Sequence, residues 1–139
     1  MYPAEIVLPM KGEMTDGGFE ELLTPADVDR ALGAASGTAL VFINSVCGCA
    51  AGSARPGVLM AVQNSKVRPD QLLTTFAGFD TEAVKKVRDY LLPYPPSSPC
   101  IALFKNGQLV HFIERHNIEG RPAPMIAQNL ISAFEEHCK

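Results

Sequence analysis

The 139-residue sequence predicts a mixed α/β sheet covered by helices, and three observations carry that prediction. Thr38 to Asn44 (TALVFIN) is a nearly all-apolar run of strand formers, the pattern of a strand buried on both faces at the centre of a sheet. Strand-like and helix-like stretches then alternate, as in a β-α-β-α series with a parallel first pair. Asn106-Gly107 stands between Ile101–Lys105 and Leu109–Ile113, a hairpin signal because both turn positions tolerate positive φ.

Taken in order, Ile6, Val7, Met10 and Met14 recur at helical spacing, weakened by Pro9 and ended by Gly17-Gly18. Thr24-Pro25-Ala26-Asp27 places a hydroxyl cap before a first-turn proline, predicting a helix from about Pro25 to Ala35. After the central strand, AAGSARPGVLMAVQNS has helical periodicity in Val58, Leu59 and Val62, and Pro56 must kink it or end its first part. Leu72–Ala77 reads as a second strand and Thr81–Leu92 as a helix, with Val84, Val87 and Leu91 inward and Lys85, Lys86 and Arg88 on the other side. Met125, Ile126, Leu130, Phe134 and Cys138 mark one face of a last helix beginning near Pro122. With no repeat or linker, one domain is expected over 1–139, made of a helical N-terminal extension (1–37) and a core (38–139).

Apolar residues make up 47% and charged residues 19%, with a net charge of −3, so neither disorder nor a basic nucleic-acid surface is indicated. No apolar run approaches the about 18 residues of a membrane span, and Met1 to Lys11 lacks the pattern of a secretory signal. Cytoplasmic residence without nucleic-acid or membrane partners is expected. Four cysteines are too few for a disulfide-stapled scaffold, and two are one residue apart.

Cys47-Gly48-Cys49 falls where the central strand leads into a helix, and chemistry in open α/β sheets collects at the carboxyl ends of strands. A helix N-terminus offers unpaired N–H groups and a positive dipole end, which favour thiolate over thiol. Two residues span at most roughly 7 Å when extended, while a disulfide wants Cα atoms about 4.4–6.8 Å apart, so the backbone must bend, and Gly48 is best suited to bend. So small a ring makes a poor staple and a good reagent. Two other readings stand beside this one. The pair is compatible with small buried side chains, or with ligands of zinc or an iron–sulfur cluster if Cys100, Cys138 or a histidine joins them.

The segments TALVFIN, NSVCGCAAGSARPG, YPPSSPCIALFKNG and RHNIEG together make the chain resemble the bacilliredoxins, thioredoxin-like bacterial proteins that carry Cys-Gly-Cys. The resemblance runs from the N-terminal helix to the C-terminal one. It implies a thioredoxin-like mixed sheet with helices on both faces. It also implies removal of a low-molecular-weight thiol, bacillithiol, from mixed disulfides on client proteins, with weak disulfide isomerase activity in some members. By that analogy Cys47 attacks, Cys49 resolves and no cofactor is needed. The fold also implies a cis proline at the start of the strand beside the cysteines, matched by Ser98-Pro99, where a cis bond costs about 0.5–1 kcal/mol and holds a loop open for an extended substrate.

Five further residues are weighed. Arg55 is read as a group that attracts the carboxylates of a small thiol or the Cys47 thiolate, or else as a solvated helix arginine. Cys100, next to Pro99, is a third thiol near the site or a buried strand residue; strand alternation favours the core if Pro99 faces the cysteines. Cys138 is assigned to packing, and His116 with Glu119 to a structural loop rather than proton transfer. The function expected is thiol–disulfide exchange with thiolated client proteins; the alternative is a metal or iron–sulfur carrier with Cys47 and Cys49 as ligands.

Overall fold

The structure is a computed structural model that describes residues 2–33 and 36–139. Its elements in chain order are α1 (Ala4–Asp16), β1 (Glu20–Glu21), α2 (Pro25–Leu32), β2 (Thr38–Asn44), a π-helical turn (Ala50–Ala54) leading into α3 (Arg55–Asn64), β3 (Gln71–Phe76), α4 (Thr81–Tyr90), β4 (Cys100–Lys105), β5 (Gln108–Ile113), α5 (Arg115–Ile118) and α6 (Ala123–His137).

All seven residues of β2 are buried, which the apolar run requires. The strand lies at the centre of a five-stranded sheet in the order β1-β3-β2-β4-β5. It pairs in parallel with β3, Val41 opposite Leu73, and antiparallel with β4, Val41 opposite Ala102. Asn106 (φ 52°) and Gly107 (φ 79°) turn β4 back into β5, with a bulge between Leu103 and Phe104.

Strand alternation splits the core in two. Leu40, Phe42, Ile101 and Leu103 face Val58, Ala61 and Val62 of α3 and Leu130 and Phe134 of α6. Ala39, Val41, Ile43, Ala102 and Phe104 face Val28 of α2 and Val84 and Val87 of α4. Helices therefore cover both faces, as expected.

The N-terminal segment departs from a purely helical extension. Glu20 and Glu21 pair in parallel with Leu73 and Thr74 and extend the sheet by a short edge strand. Two consecutive glutamates carry no strand signal, so only tertiary pairing creates β1. The face α1 buries is Val7, Lys11 and Met14, while Ile6 is half exposed. Lys11 goes inward because Asp80 (3.0 Å) and Glu21 (3.4 Å) neutralise its ammonium. The cap of α2 is as read: Thr24 Oγ1 accepts from Asp27 N–H (3.2 Å), and Asp27 accepts from Thr24 N–H (3.2 Å). Hydrogen bonds from the Leu23 and Thr24 backbone N–H groups help hold the Asp27 carboxyl below its ordinary value. The expected end of this helix, at Ala35, lies outside the described residues; α4 stops two residues before the expected Leu92. Among the described residues, no helix is long and apolar enough to cross a membrane.

Helices α3 and α6 touch at Gly57, where an added Cβ would come within 2.7 Å of Ile126 Cβ and 3.1 Å of the Ala123 carbonyl oxygen. Gly57→Ala should therefore lower stability by about 1–3 kcal/mol by overpacking, read as a lower urea midpoint. Gly12→Ala in α1, where nothing lies within 4 Å of the new methyl, should raise stability by about 0.5–1 kcal/mol in the same assay.

Candidate active site

Strand β2 ends at Asn44, and the next five residues carry the chain into a helix. Cys47 carbonyl oxygen accepts from Ala50 N–H (3.0 Å) and Ala51 N–H (3.3 Å), so Cys47 begins the helical path and Gly48 and Cys49 form its first turn. Cys47 and Cys49 are joined as a disulfide with Cα atoms 5.5 Å apart, inside the usual range. The bend is helical and uses no positive φ at Gly48, contrary to the special flexibility expected there. Gly48 contributes exposure instead, because a Cβ there would meet nothing within 4 Å. Both cysteines are half-buried; the side chain of Cys49 packs on the α3/α6 core.

The first part of the helical stretch ends just before Pro56: the π-helical turn stops at Ala54, and Pro56 sits in the first turn of α3, where its missing N–H is harmless. This places Arg55 beneath the cysteines. Its side chain is no solvated arginine: the residue is 2% exposed, and Nη1 donates to Asn44 Oδ1 (3.0 Å) and Ser45 carbonyl oxygen (2.9 Å). Glu13 of α1 lies 3.4 Å from Nε and supplies the counter-charge. Asn44 in turn accepts from Ser45 N–H (2.9 Å) and donates to the Met10 carbonyl (3.2 Å), and Cys47 N–H donates to Ser45 Oγ (3.3 Å). One network thus connects α1, the end of β2, the cysteine turn and α3. With its guanidinium held in this way, Arg55 is placed to fix the turn.

The Ser98–Pro99 peptide is cis, as is Leu92–Pro93, which carries no signal in the sequence. Because Cys100 pairs with Ile43, the register brings buried Pro99 level with Asn44 at the carboxyl end of β2. Ser98 and Cys47 line one cavity of about 220 Å³, together with Ser45, Arg88 and Arg115. Neither arginine was singled out in the sequence. The signal for Arg88 is its i, i+4 spacing from buried Val84, which puts it at the edge of the inward face rather than opposite it. Arg115 lies in RHNIEG, where nothing local distinguishes it.

Cys100 is a free thiol, 1% exposed, and packs in the α2/α4 core, on the sheet face opposite the one Cys49 touches. Burial, offset in part by Arg88, pushes the thiol from its ordinary 9.0 up to about 12. Cys138 is free and half-buried at the end of α6; burial raises its thiol as well. Glu119 pairs with Arg115 (2.8 Å), and His116 lies with it in the groove beyond Ser98, so neither lines the cavity beside Cys47. Among the described residues no three His, Cys, Asp or Glu side chains gather to hold a metal, and the extra ligand a metal carrier needs is not supplied by Cys100.

Three outcomes follow for Cys100. In folded protein it should resist iodoacetamide at neutral pH, and Cys100→Ser should lower stability by about 1–3 kcal/mol by burying an unpartnered hydroxyl. Since its folded pKa is raised, the stability its protonated thiol contributes is present below pH 9.0 and lost as pH rises toward about 12. The stability advantage of wild type over Cys100→Ala should shrink across that window in urea titrations.

A family model described as Disulphide isomerase matches residues 2–138. The chain is 57% identical to a bacilliredoxin of Cytophaga hutchinsonii over 136 residues, covering 98% of this chain and 99% of that one. It is 51% identical to a bacilliredoxin of Halalkalibacterium halodurans over 138 residues, covering 99% and 95%. Among solved structures, oxidised mitochondrial thioredoxin 3 of Saccharomyces cerevisiae superposes with a TM-score of 0.57 at 14% identity, covering 89% of this chain and 98% of that one. The thioredoxin-like domain of Arabidopsis NCP gives 0.59 at 16%, covering 87% and 79%. The thioredoxin-like fold expected from the sequence is thereby established, and the chain belongs to the bacilliredoxin family of thiol–disulfide oxidoreductases.

Proposed function

We propose that this enzyme removes a low-molecular-weight thiol of the bacillithiol kind from mixed disulfides on client proteins, with Cys47 as nucleophile and Cys49 as resolving thiol. The observation that carries the reading is the Cys47–Cys49 disulfide at a helix start, beside a cavity shared with the cis-proline loop. In the reduced enzyme, unpaired N–H groups and the dipole at the start of the helix favour the Cys47 thiolate. That thiolate attacks the small thiol's sulfur in the client disulfide. A Cys47–small-thiol disulfide forms, the client sulfur leaves as thiolate and takes a proton from solvent. Cys49, deprotonated, then attacks Cys47 Sγ, releases the small thiol and leaves the internal disulfide. Two enzyme thiols are oxidised and one client disulfide is reduced, so an external thiol reductant must restore the enzyme.

Cys47 lines the cavity while Cys49 packs against the α3/α6 core, which supports this order, since the attacking sulfur needs access and the resolving one needs only its neighbour. Pro99 and Ser98 are assigned to the client segment, along the open edge of the loop before β4. Arg55 acts as a positioning residue through Asn44 and Ser45, not as a docking group. Isomerase activity on scrambled disulfides uses the same first step and is expected to be weaker. The work is assigned to the cytoplasm, where thiolated clients arise.

Cys49→Ala should accumulate the small thiol as an adduct on Cys47, while Cys47→Ala should be inert toward the same thiolated protein. Mass spectrometry of both variants reads this directly. Equal labelling of Cys47→Ala would reverse the assignment.

A further inference from the structure

The cavity beside Cys47 holds two guanidinium-bearing side chains and no carboxylate: its charged lining consists of Arg88 from α4 and Arg115 from α5. Arg88 has no ion pair among the described residues, and its Nε is buried without a hydrogen-bond partner. Such a group is costly to leave uncompensated. Arg115 is held in place from behind, Nε on Glu119 (2.8 Å) and Nη1 toward the Ser98 carbonyl (3.4 Å). The nearest acids do not reach this cavity. Glu119 is engaged with Arg115, and Glu114, whose backbone carbonyl accepts from Asn117 N–H (2.9 Å), lies with it in the neighbouring groove beyond Ser98, which both arginines also border. Tyr2 forms the opposite wall, its N–H on the Gly78 carbonyl (3.2 Å) and its ring so close that a Cβ on Gly78 would lie 2.5 Å from it.

Resting on the de-thiolation reading, we infer that Arg88 and Arg115 form an anion subsite that binds the carboxylates of the small thiol and selects acidic thiols over neutral ones. When Cys47 attacks, the small thiol becomes bonded to Cys47 Sγ, and the adjoining cavity is the space left for its body. A cavity of about 220 Å³ suits a few-carbon carboxylate and not a folded protein segment. A planar guanidinium meets a carboxylate with two parallel hydrogen bonds, so two arginines favour a dicarboxylate. Acidic side chains of a client are the other source of the same chemistry; holding the client constant and changing only the adduct separates the two.

The test uses one client protein blocked with either mercaptosuccinate or mercaptoethanol, and reads the ratio of the two second-order rate constants for release by reduced enzyme. That ratio cancels changes in the Cys47 thiolate, which enter both rates alike. Arg88→Gln and Arg115→Gln should each lower the mercaptosuccinate-to-mercaptoethanol ratio by about tenfold, the usual size of a charge-assisted hydrogen bond, with Arg88→Lys intermediate. An unchanged ratio, with both rates falling by one factor, would overturn the subsite. Succinate titrated onto oxidised wild type should shift the side-chain N–H resonances of Arg88 and Arg115, independently of turnover. Release of neither adduct, with succinate still bound, would reject de-thiolation and keep the subsite; no shift on succinate addition would reject the subsite.

Discussion

A single buried charge organises this molecule. The Arg55 guanidinium is enclosed below the cysteine turn, and it is tolerable there only because Asn44 Oδ1, the Ser45 carbonyl and Glu13 surround it. Those partners come from the end of the central strand and from the first helix, while Arg55 itself begins the helix that follows the cysteines. Removing the Asn44 acceptor costs a hydrogen bond to a charged group, about 1.5–3 kcal/mol, and removing Glu13 takes away the counter-charge, so the strand end, α1 and α3 hold one arrangement. The Cys47–Gly48–Cys49 turn hangs from that arrangement through the hydrogen bond from Cys47 N–H to Ser45 Oγ.

The sheet then separates reactive sulfur from inert sulfur. Cys49 leans on the α3/α6 face, and Cys100 is directed by strand alternation into the α2/α4 face, where burial keeps its thiol protonated. Two residues of β4 and its preceding loop therefore have opposite duties: Pro99 stands at the level of the cysteine turn, and the thiol beside it is a packing group. Arg88 belongs to both settings, since it lines the cavity at Cys47 and also lies near enough to Cys100 to offset part of its burial.

What could be read in the sequence was what is local. TALVFIN had to be a central strand because no polar residue interrupts it before Asn44, and Asn106-Gly107 had to be a tight turn because its φ values demand such residues. The redox pair stood out because two cysteines one residue apart at a strand-to-helix junction have few other uses. What could not be read depends on tertiary partners. Glu20-Glu21 becomes a strand only because β3 offers an edge, and Lys11 turns inward only because Asp80 and Glu21 meet it. Arg55 reads from sequence as a substrate-attracting group or a solvated arginine, and not as a buried one, for the same reason: nothing in its neighbours announces that Asn44, eleven residues earlier, would receive it.

The most direct measurement is the stoichiometry of one turnover. Reduced enzyme is mixed with an equal amount of a client protein carrying one small-thiol adduct, quenched with acid, and weighed by intact-mass spectrometry while free thiol is quantified. The account predicts one small thiol released per enzyme oxidised, a client returned to its free-thiol mass, and an enzyme lighter by two hydrogens with its Cys47–Cys49 disulfide closed. A stable enzyme–client disulfide as the end product, or release of the small thiol with both cysteines still reduced, would contradict it.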